Sequence, residues 1–219
     1  MRAERSPNVG PGAVDTPRCR LAVLLTAVML GLVGVAMLSP ATASAQEQTY
    51  VIATDTTFAP FEFQDAQGNF VGIDMDLIRA IAEDQGFNVD IKPLGFDAAL
   101  QAVQANQVDG VIAGMSITDE RKQVFDFPEP YFESGVQMAV LEDNEDVKSY
   151  EDLRGKRVSV KNGTQGSDFA NSIKDQYGFE VVSFADSSTM FDEVKTGNSA
   201  AVFEDYPVLL YGIAQGNGF

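Results

Sequence analysis

The densest chemistry in this chain lies between Ala113 and Lys122, in Ala-Gly-Met-Ser-Ile-Thr-Asp-Glu-Arg-Lys. The apolar run Gly110-Val111-Ile112-Ala113 reads as the end of a buried strand. It stops at Gly114, where backbone can lie open to a ligand, and hydroxyls follow at Ser116 and Thr118. Thr118 precedes Asp119 and Glu120 as an N-cap precedes acidic first-turn residues of a short helix. Arg121 falls three residues beyond that cap, on the same side of the turn. Free N–H groups, two hydroxyls and a planar guanidinium then converge beyond a strand's carboxyl end, which suits a carboxylate.

The elements that must position such a group alternate along the chain. Tyr50 to Ala53 reads as a strand ending at Thr54-Asp55, followed by a loop with Phe58 and Pro60. Glu62-Phe63 and Phe70-Val71 flank the turn from Asp65 to Asn69 as a small hairpin. A helix is expected over 74–85 with Leu77, Ile78, Ile81 and Ala82 inward, stopped by Gly86. A strand over 88–94, a helix over 96–106 and a strand over 110–113 complete a mostly parallel sheet.

Phe125 to Phe132 is extended and aromatic, and Val136 to Leu141 is an apolar strand leading into the charged connector from Glu142 to Asp146. Ser149 to Asp152 has capping-box spacing. The second half then repeats the order of the first. Strands are expected at 157–160, 180–184 and 200–203, and helices at 168–176, 188–196 and 206–214.

Ligands of open α/β sheets sit beyond the strands' carboxyl ends. Those ends carry Asp55; Gly114 with Ser116, Thr118 and Arg121; Lys161 with Thr164; and Glu204-Asp205. Two lobes facing across a cleft would bring the set together around a zwitterion. Arg121 would hold an α-carboxylate and Asp205 an α-ammonium, leaving Asp55 and Lys161 for a polar side chain and Phe58 and Phe96 for apolar walls. Each residue has an ordinary structural alternative. Asp55 and Asp205 could be caps at element ends, Lys161 a solvated turn residue, and Phe58 and Phe96 core.

Composition narrows the classes. Residues 1–45 carry Arg18 and Arg20, an apolar run from Leu21 to Leu38, and the small-residue cleavage site Ala43-Ser44-Ala45. That pattern predicts a signal peptide over 1–45; an uncleaved membrane anchor is the alternative. The rest of the chain holds 11 Lys+Arg against 30 Asp+Glu, a net charge of −19. Such a surface repels nucleic acid and anionic lipid. Histidine is absent and Cys19 lies within the leader, which excludes Ser-His-Asp hydrolysis, His-zinc sites, disulfides and thiolate metal sites. No cofactor is expected.

Thr54 to Phe63, Gly72 to Leu77, Ser116 to Lys122, Lys161 to Ser167 and Glu204 to Pro207 resemble, in order, the motifs of the family 3 solute-binding proteins of polar amino-acid ABC transporters. Glutamine-binding proteins are the nearest in pattern. The resemblance implies an α/β, two-lobed periplasmic-binding-protein-like (type II) fold. Lobe 1 with a first hinge strand would occupy 46–140 and lobe 2 would occupy 141–219, incomplete because the pattern normally continues past Phe219. It also implies that Arg121 with the backbone at Ser116 and Gln165 holds the α-carboxylate, while the Gly114 carbonyl, Ser116 and Asp205 hold the ammonium. Asp55 and Lys161 would read a carboxamide between Phe58 and Phe96. Glu204 departs from the pattern and leaves side-chain selectivity open.

The expected protein is an exported monomer that binds a free amino acid, glutamine and then glutamate, and hands it to an ABC transporter permease without chemistry. Two rival readings are the ligand-binding domain of a larger membrane protein and a lyase of the cyclohexadienyl dehydratase type using Glu62 or Glu204 as its acid.

Overall fold

The computed structural model describes residues 47–219, and the predicted leader over 1–45 lies outside them. Two α/β layers carry the chain. In the first, β1 (Thr49–Thr54) lies between β5 (Asn88–Pro93) and β6 (Gly110–Val111), all parallel. Ala53 and Thr54 at the tip of β1 are fully buried, so the strand delivers Asp55 straight from the core. Helix α1 (Ile73–Gln85) and helix α2 (Phe96–Gln104) are the crossovers. Helix α1 buries Asp74, Met75 and Ala82, while Ile81, expected inward, is 41% exposed. The inward stripe runs from buried Asp74 and Met75 through half-buried Ile78 to buried Ala82, and Ile81 stands on its flank. Gly86 ends the helix in the left-handed conformation, its N–H returned to the Ala82 carbonyl.

The predicted hairpin is three-stranded. Strands β2 (Thr57–Phe58), β3 (Glu62–Gln64) and β4 (Phe70–Val71) pair antiparallel in order. The addition of β2 fixes Phe58 against Glu62 by register.

The second sheet runs in the order β7 (Val136–Ala139), β10 (Ala201–Asp205), β8 (Arg157–Lys161), β9 (Glu180–Phe184). β8, β9 and β10 are parallel, whereas β7 pairs antiparallel to β10. β7 is the strand assigned from sequence to the first lobe as a hinge, and its hydrogen bonds place it in the second sheet. Its hydrophobic side chains Val136 and Met138 pack on the core formed by Leu153, Val158, Val160, Ala170 and Phe203. Phe203 sits at the centre of an aromatic cluster, 5.4 Å from Phe169, 5.7 Å from Tyr150 and 6.3 Å from Phe179 by ring centroids. Such edge and offset contacts add to the burial energy of each ring.

Helix α3 (Gln165–Tyr177) begins three residues before its predicted start. The Thr164 hydroxyl accepts from the Ser167 N–H at 3.2 Å and caps it there. Helices α4 (Ser187–Lys195) and α5 (Tyr206–Ala214) complete the layer. The Ser149–Asp152 capping box is present, on a single 3-10 turn (Tyr150–Leu153). Among the described residues, no helix is long and apolar enough to cross a membrane.

Candidate functional site

Strand tips from both sheets converge on one point. A small space there, about 10 Å³, is lined by Phe58, Phe96, Ala113, Gly114, Ser116, Arg121, Lys161, Thr164, Gln165 and Asp205. Nine of the residues singled out from sequence are in that lining. Thr118 and Glu204 stand outside it, and Asp55, also outside, is fully buried. Ala113 is the one lining residue that sequence reasoning passed over, because an alanine closing an apolar strand carries no chemical signal.

Arg121 is held by two carbonyls from different parts of the chain. Its Nη1 donates to the Ser116 carbonyl at 2.9 Å and its Nη2 to the Gly163 carbonyl at 2.8 Å. Its Cζ lies 5.6 Å from the centre of the Phe96 ring, within cation–π range. The expected helical turn is a 3-10 turn (Arg121–Gln123). Glu120, rather than Thr118, takes the cap position of that turn, while the Thr118 hydroxyl accepts from the Arg121 N–H at 3.2 Å. Burial pulls the guanidinium below its ordinary basicity, while Asp168, Asp205 and Glu120 push it back. An arginine stays charged throughout.

Lys161 is 1% exposed and forms a buried ion pair with the Asp55 carboxylate. Its ammonium also donates to the Ser187 hydroxyl at 3.3 Å and lies 5.1 Å from the Phe58 ring centre. Ser187 in turn donates to Glu204 at 3.3 Å, and the other Glu204 oxygen accepts from the Asp205 N–H at 3.0 Å. A continuous polar chain therefore runs from Asp55 through Lys161 and Ser187 to Glu204. Burial raises Glu204 to about 7, against the opposing pull of Lys161. The Lys161–Asp55 contact settles two of the alternatives left open by sequence. Lys161 is no solvated turn residue, and Asp55 does more than cap its strand.

Asp205 precedes helix α5, but its side chain makes no capping hydrogen bond. The carboxylate is free to face the cavity. Burial raises it to about 6, opposed by Ser134, Arg121 and Lys161. Phe58 is both wall and core, since it packs with Phe61 and Val208 while lining the cavity. Gly114 has φ of +52, and a Cβ there would come within 2.5 Å of the Phe58 ring. Only glycine lets the backbone pass that close. Thr164 and Gln165 put the N-terminus of α3, its partially positive end, against the same space.

Sequence reasoning missed Ser187 and the fully buried Asp74, whose carboxylate accepts from the Gly114 N–H at 2.7 Å and from the Tyr131 hydroxyl at 2.8 Å. Their signals were faint. Ser187 begins a helix with no periodic mark, and Asp74 reads as an ordinary acidic first-turn residue.

The comparisons with known proteins fit this geometry. The family described as bacterial extracellular solute-binding proteins, family 3, matches residues 50–202. The L-cystine-binding protein TcyJ of Escherichia coli (strain K12) is 30% identical over 158 residues, 72% of this chain. The chain spans 59% of that relative's length. An ancestral arginine-binding protein, solved bound to arginine and bound to glutamine, superposes with TM-scores of 0.74 and 0.73. It is 40% identical, with 78% of this chain and 76% of that one covered. An ancestral amino acid-binding protein that is a precursor of cyclohexadienyl dehydratase gives a TM-score of 0.72 at 33% identity, covering 77% of this chain and 74% of that one. These solved relatives share the two-lobed arrangement, and the family match extends over most of the described residues. The chain belongs to the bacterial extracellular solute-binding proteins, family 3.

Proposed function

We propose that the protein captures a polar L-amino acid outside the cytoplasm, glutamine first and glutamate second, and delivers it to an ABC transporter permease. The observation that carries this reading is that Arg121, on the turn that follows the first sheet, and Asp205, at the end of β10 in the second, line one small space. Arg121, with the backbone at Ser116 and Gln165, takes the α-carboxylate. The Gly114 carbonyl, Ser116 and Asp205 take the α-ammonium, and Phe58 and Phe96 hold the aliphatic part. Asp55 and Lys161 neutralise each other yet keep spare acceptor and donor capacity. A neutral group that both donates and accepts, such as a carboxamide, fits beside the pair better than a net charge.

The space holds about one water, too little for an amino acid. Capture therefore needs the halves to part, and a ligand that bridges them favours their closure. We assign the first sheet with α1 and α2 to one moving body and the second sheet, β7 included, with α3 to α5 to the other. A solved relative that carries glutamine in an arginine-binding scaffold supports the side-chain assignment. Glu62 and Glu204, the acids a lyase would use, stand outside the cavity lining, which favours binding over chemistry.

Calorimetric titration against the common L-amino acids tests the reading. A dissociation constant on the order of 1 μM for glutamine, about −8 kcal/mol, is expected, with weaker binding of analogues lacking the carboxamide. Absence of binding for every amino acid would overturn it.

A further inference from the structure

Glu204 stands one residue before the acid proposed to take the α-ammonium, yet it is buried outside the cavity lining. Both of its oxygens accept, Oε1 from the Asp205 N–H at 3.0 Å and Oε2 from the Ser187 hydroxyl at 3.3 Å. Lys161 fixes the direction of the second bond. An ammonium has donors only, so the Ser187 oxygen, 3.3 Å from Nζ, turns a lone pair to Lys161 and its proton to Glu204. Lys161 therefore lies between two buried acids, paired directly with Asp55 and through one hydroxyl with Glu204. We propose that Glu204 is a specificity-determining residue, restricting the side-chain end of the site to neutral groups that offer an acceptor, such as a carboxamide.

Two constraints combine there. The first is the supply of donors. Among the described residues the Lys161 ammonium meets Asp55 and Ser187, and with three N–H bonds it keeps one for the cavity that it lines. A guanidinium or ammonium on the ligand has no acceptor to offer that bond. The second constraint is charge. Asp55 and Glu204 against Lys161 leave one surplus negative charge away from water. A ligand carboxylate has the acceptor but adds a like charge, and repulsion between buried charges is little screened. A carboxamide oxygen accepts without that charge. Ser187 also contributes alignment. Its N–H donates to the Thr57 hydroxyl at 3.1 Å, which ties it to β2, and holding two of the three ammonium donors sets the direction of the third.

This inference rests on the proposed capture of an amino acid, and the experiment separates the two. Wild type, Glu204→Gln and Ser187→Ala are titrated calorimetrically with L-glutamine and L-glutamate at about pH 8.5, where the Glu204 carboxyl is ionised. Thermal unfolding checks that each variant is folded. Wild type should bind glutamine about tenfold or more tightly than glutamate. Glu204→Gln keeps the shape and removes the charge, so that ratio should shrink by about tenfold, with glutamate bound more tightly than by wild type. Ser187→Ala keeps the charge and loosens Lys161, so it should weaken both ligands by the same factor and preserve the ratio. A ratio that shrinks by less than about threefold in folded Glu204→Gln, or shrinks equally in Ser187→Ala, would overturn the role of Glu204 while leaving amino-acid capture intact. Wild type that binds glutamate as tightly as glutamine would overturn it without any variant. Wild type that binds neither amino acid would overturn the capture reading and this inference with it.

Discussion

Lys161 at the tip of β8 and Asp55 beyond the tip of β1 form an ion pair with each side chain 1% exposed, joining the first sheet to the second. Both charges have left water, so the pair is held by mutual attraction and by the Ser187 hydroxyl and Phe58 ring around the ammonium. Breaking one side of such a pair costs about 3–5 kcal/mol, whereas removing both charges is often neutral. Lys161→Met alone should destabilise the protein by that amount, measured by urea unfolding. Asp55→Asn combined with Lys161→Met should restore most of the stability. The double variant should still fail to bind glutamine, because the carboxamide loses both its partners. Full stability in the single variant would contradict the buried pairing.

Arg121 should dominate affinity. Its guanidinium spans the Ser116 and Gly163 carbonyls, 42 residues apart in sequence for the latter contact. Truncation leaves both carbonyls and the ligand carboxylate without a donor. Arg121→Ala should cost about 2–5 kcal/mol of binding, roughly thirtyfold or more. Arg121→Lys should recover little, since a point charge cannot serve two diverging acceptors and a carboxylate together. Titration calorimetry with glutamine measures both, and near-normal affinity in Arg121→Ala would remove the carboxylate assignment.

How much of this was legible beforehand follows physical lines. The strand tips were readable because short apolar runs end abruptly in charged or glycine residues, and ligands of parallel sheets gather there. That logic found Asp55, Gly114, Arg121, Lys161 and Asp205 without a structure. It could not show that Asp55 and Lys161 pair with each other, since contacts between residues 106 positions apart depend on how the sheets meet. Helix starts were misjudged where side-chain caps decide them, as at Thr164. The strand β7 was assigned by chain order to the first lobe, but hydrogen bonding to β10 places it in the second sheet.

Asp205 gives the site a pH dependence with a definite sign. Its folded value is about 6 against an ordinary 3.8, raised by burial. Below the ordinary value both folded and unfolded forms hold the proton, and no stability difference arises. Between about 4 and 6 the folded protein keeps a proton that the unfolded chain has lost, so stability falls as pH rises through that window. Ligand binding runs the other way, because the α-ammonium needs the ionised carboxylate. Glutamine affinity should therefore fall as pH drops below about 6, approaching tenfold per unit. Asp205→Asn should raise the thermal midpoint at pH 7.5 while abolishing binding. An Asn variant that is less stable and still binds would contradict both parts.

Gly166 tests the close approach that sets the floor of the second lobe. It lies in the first turn of α3, where alanine would ordinarily help a helix by about 1 kcal/mol. Here a Cβ would stand 2.6 Å from the Phe203 carbonyl oxygen and 3.1 Å from its carbon, both backbone atoms of β10. Backbone cannot rotate aside as a side chain can, so the helix must lift from the sheet. Overpacking of this kind costs about 1–3 kcal/mol. The lift also moves Thr164 and Gln165, at the head of α3, away from Glu204 and Asp205 at the end of β10. Gly166→Ala should therefore lower both the unfolding midpoint and glutamine affinity, with the affinity loss persisting at temperatures where the variant is fully folded. A variant more stable than wild type would show that α3 and β10 do not pack at this distance.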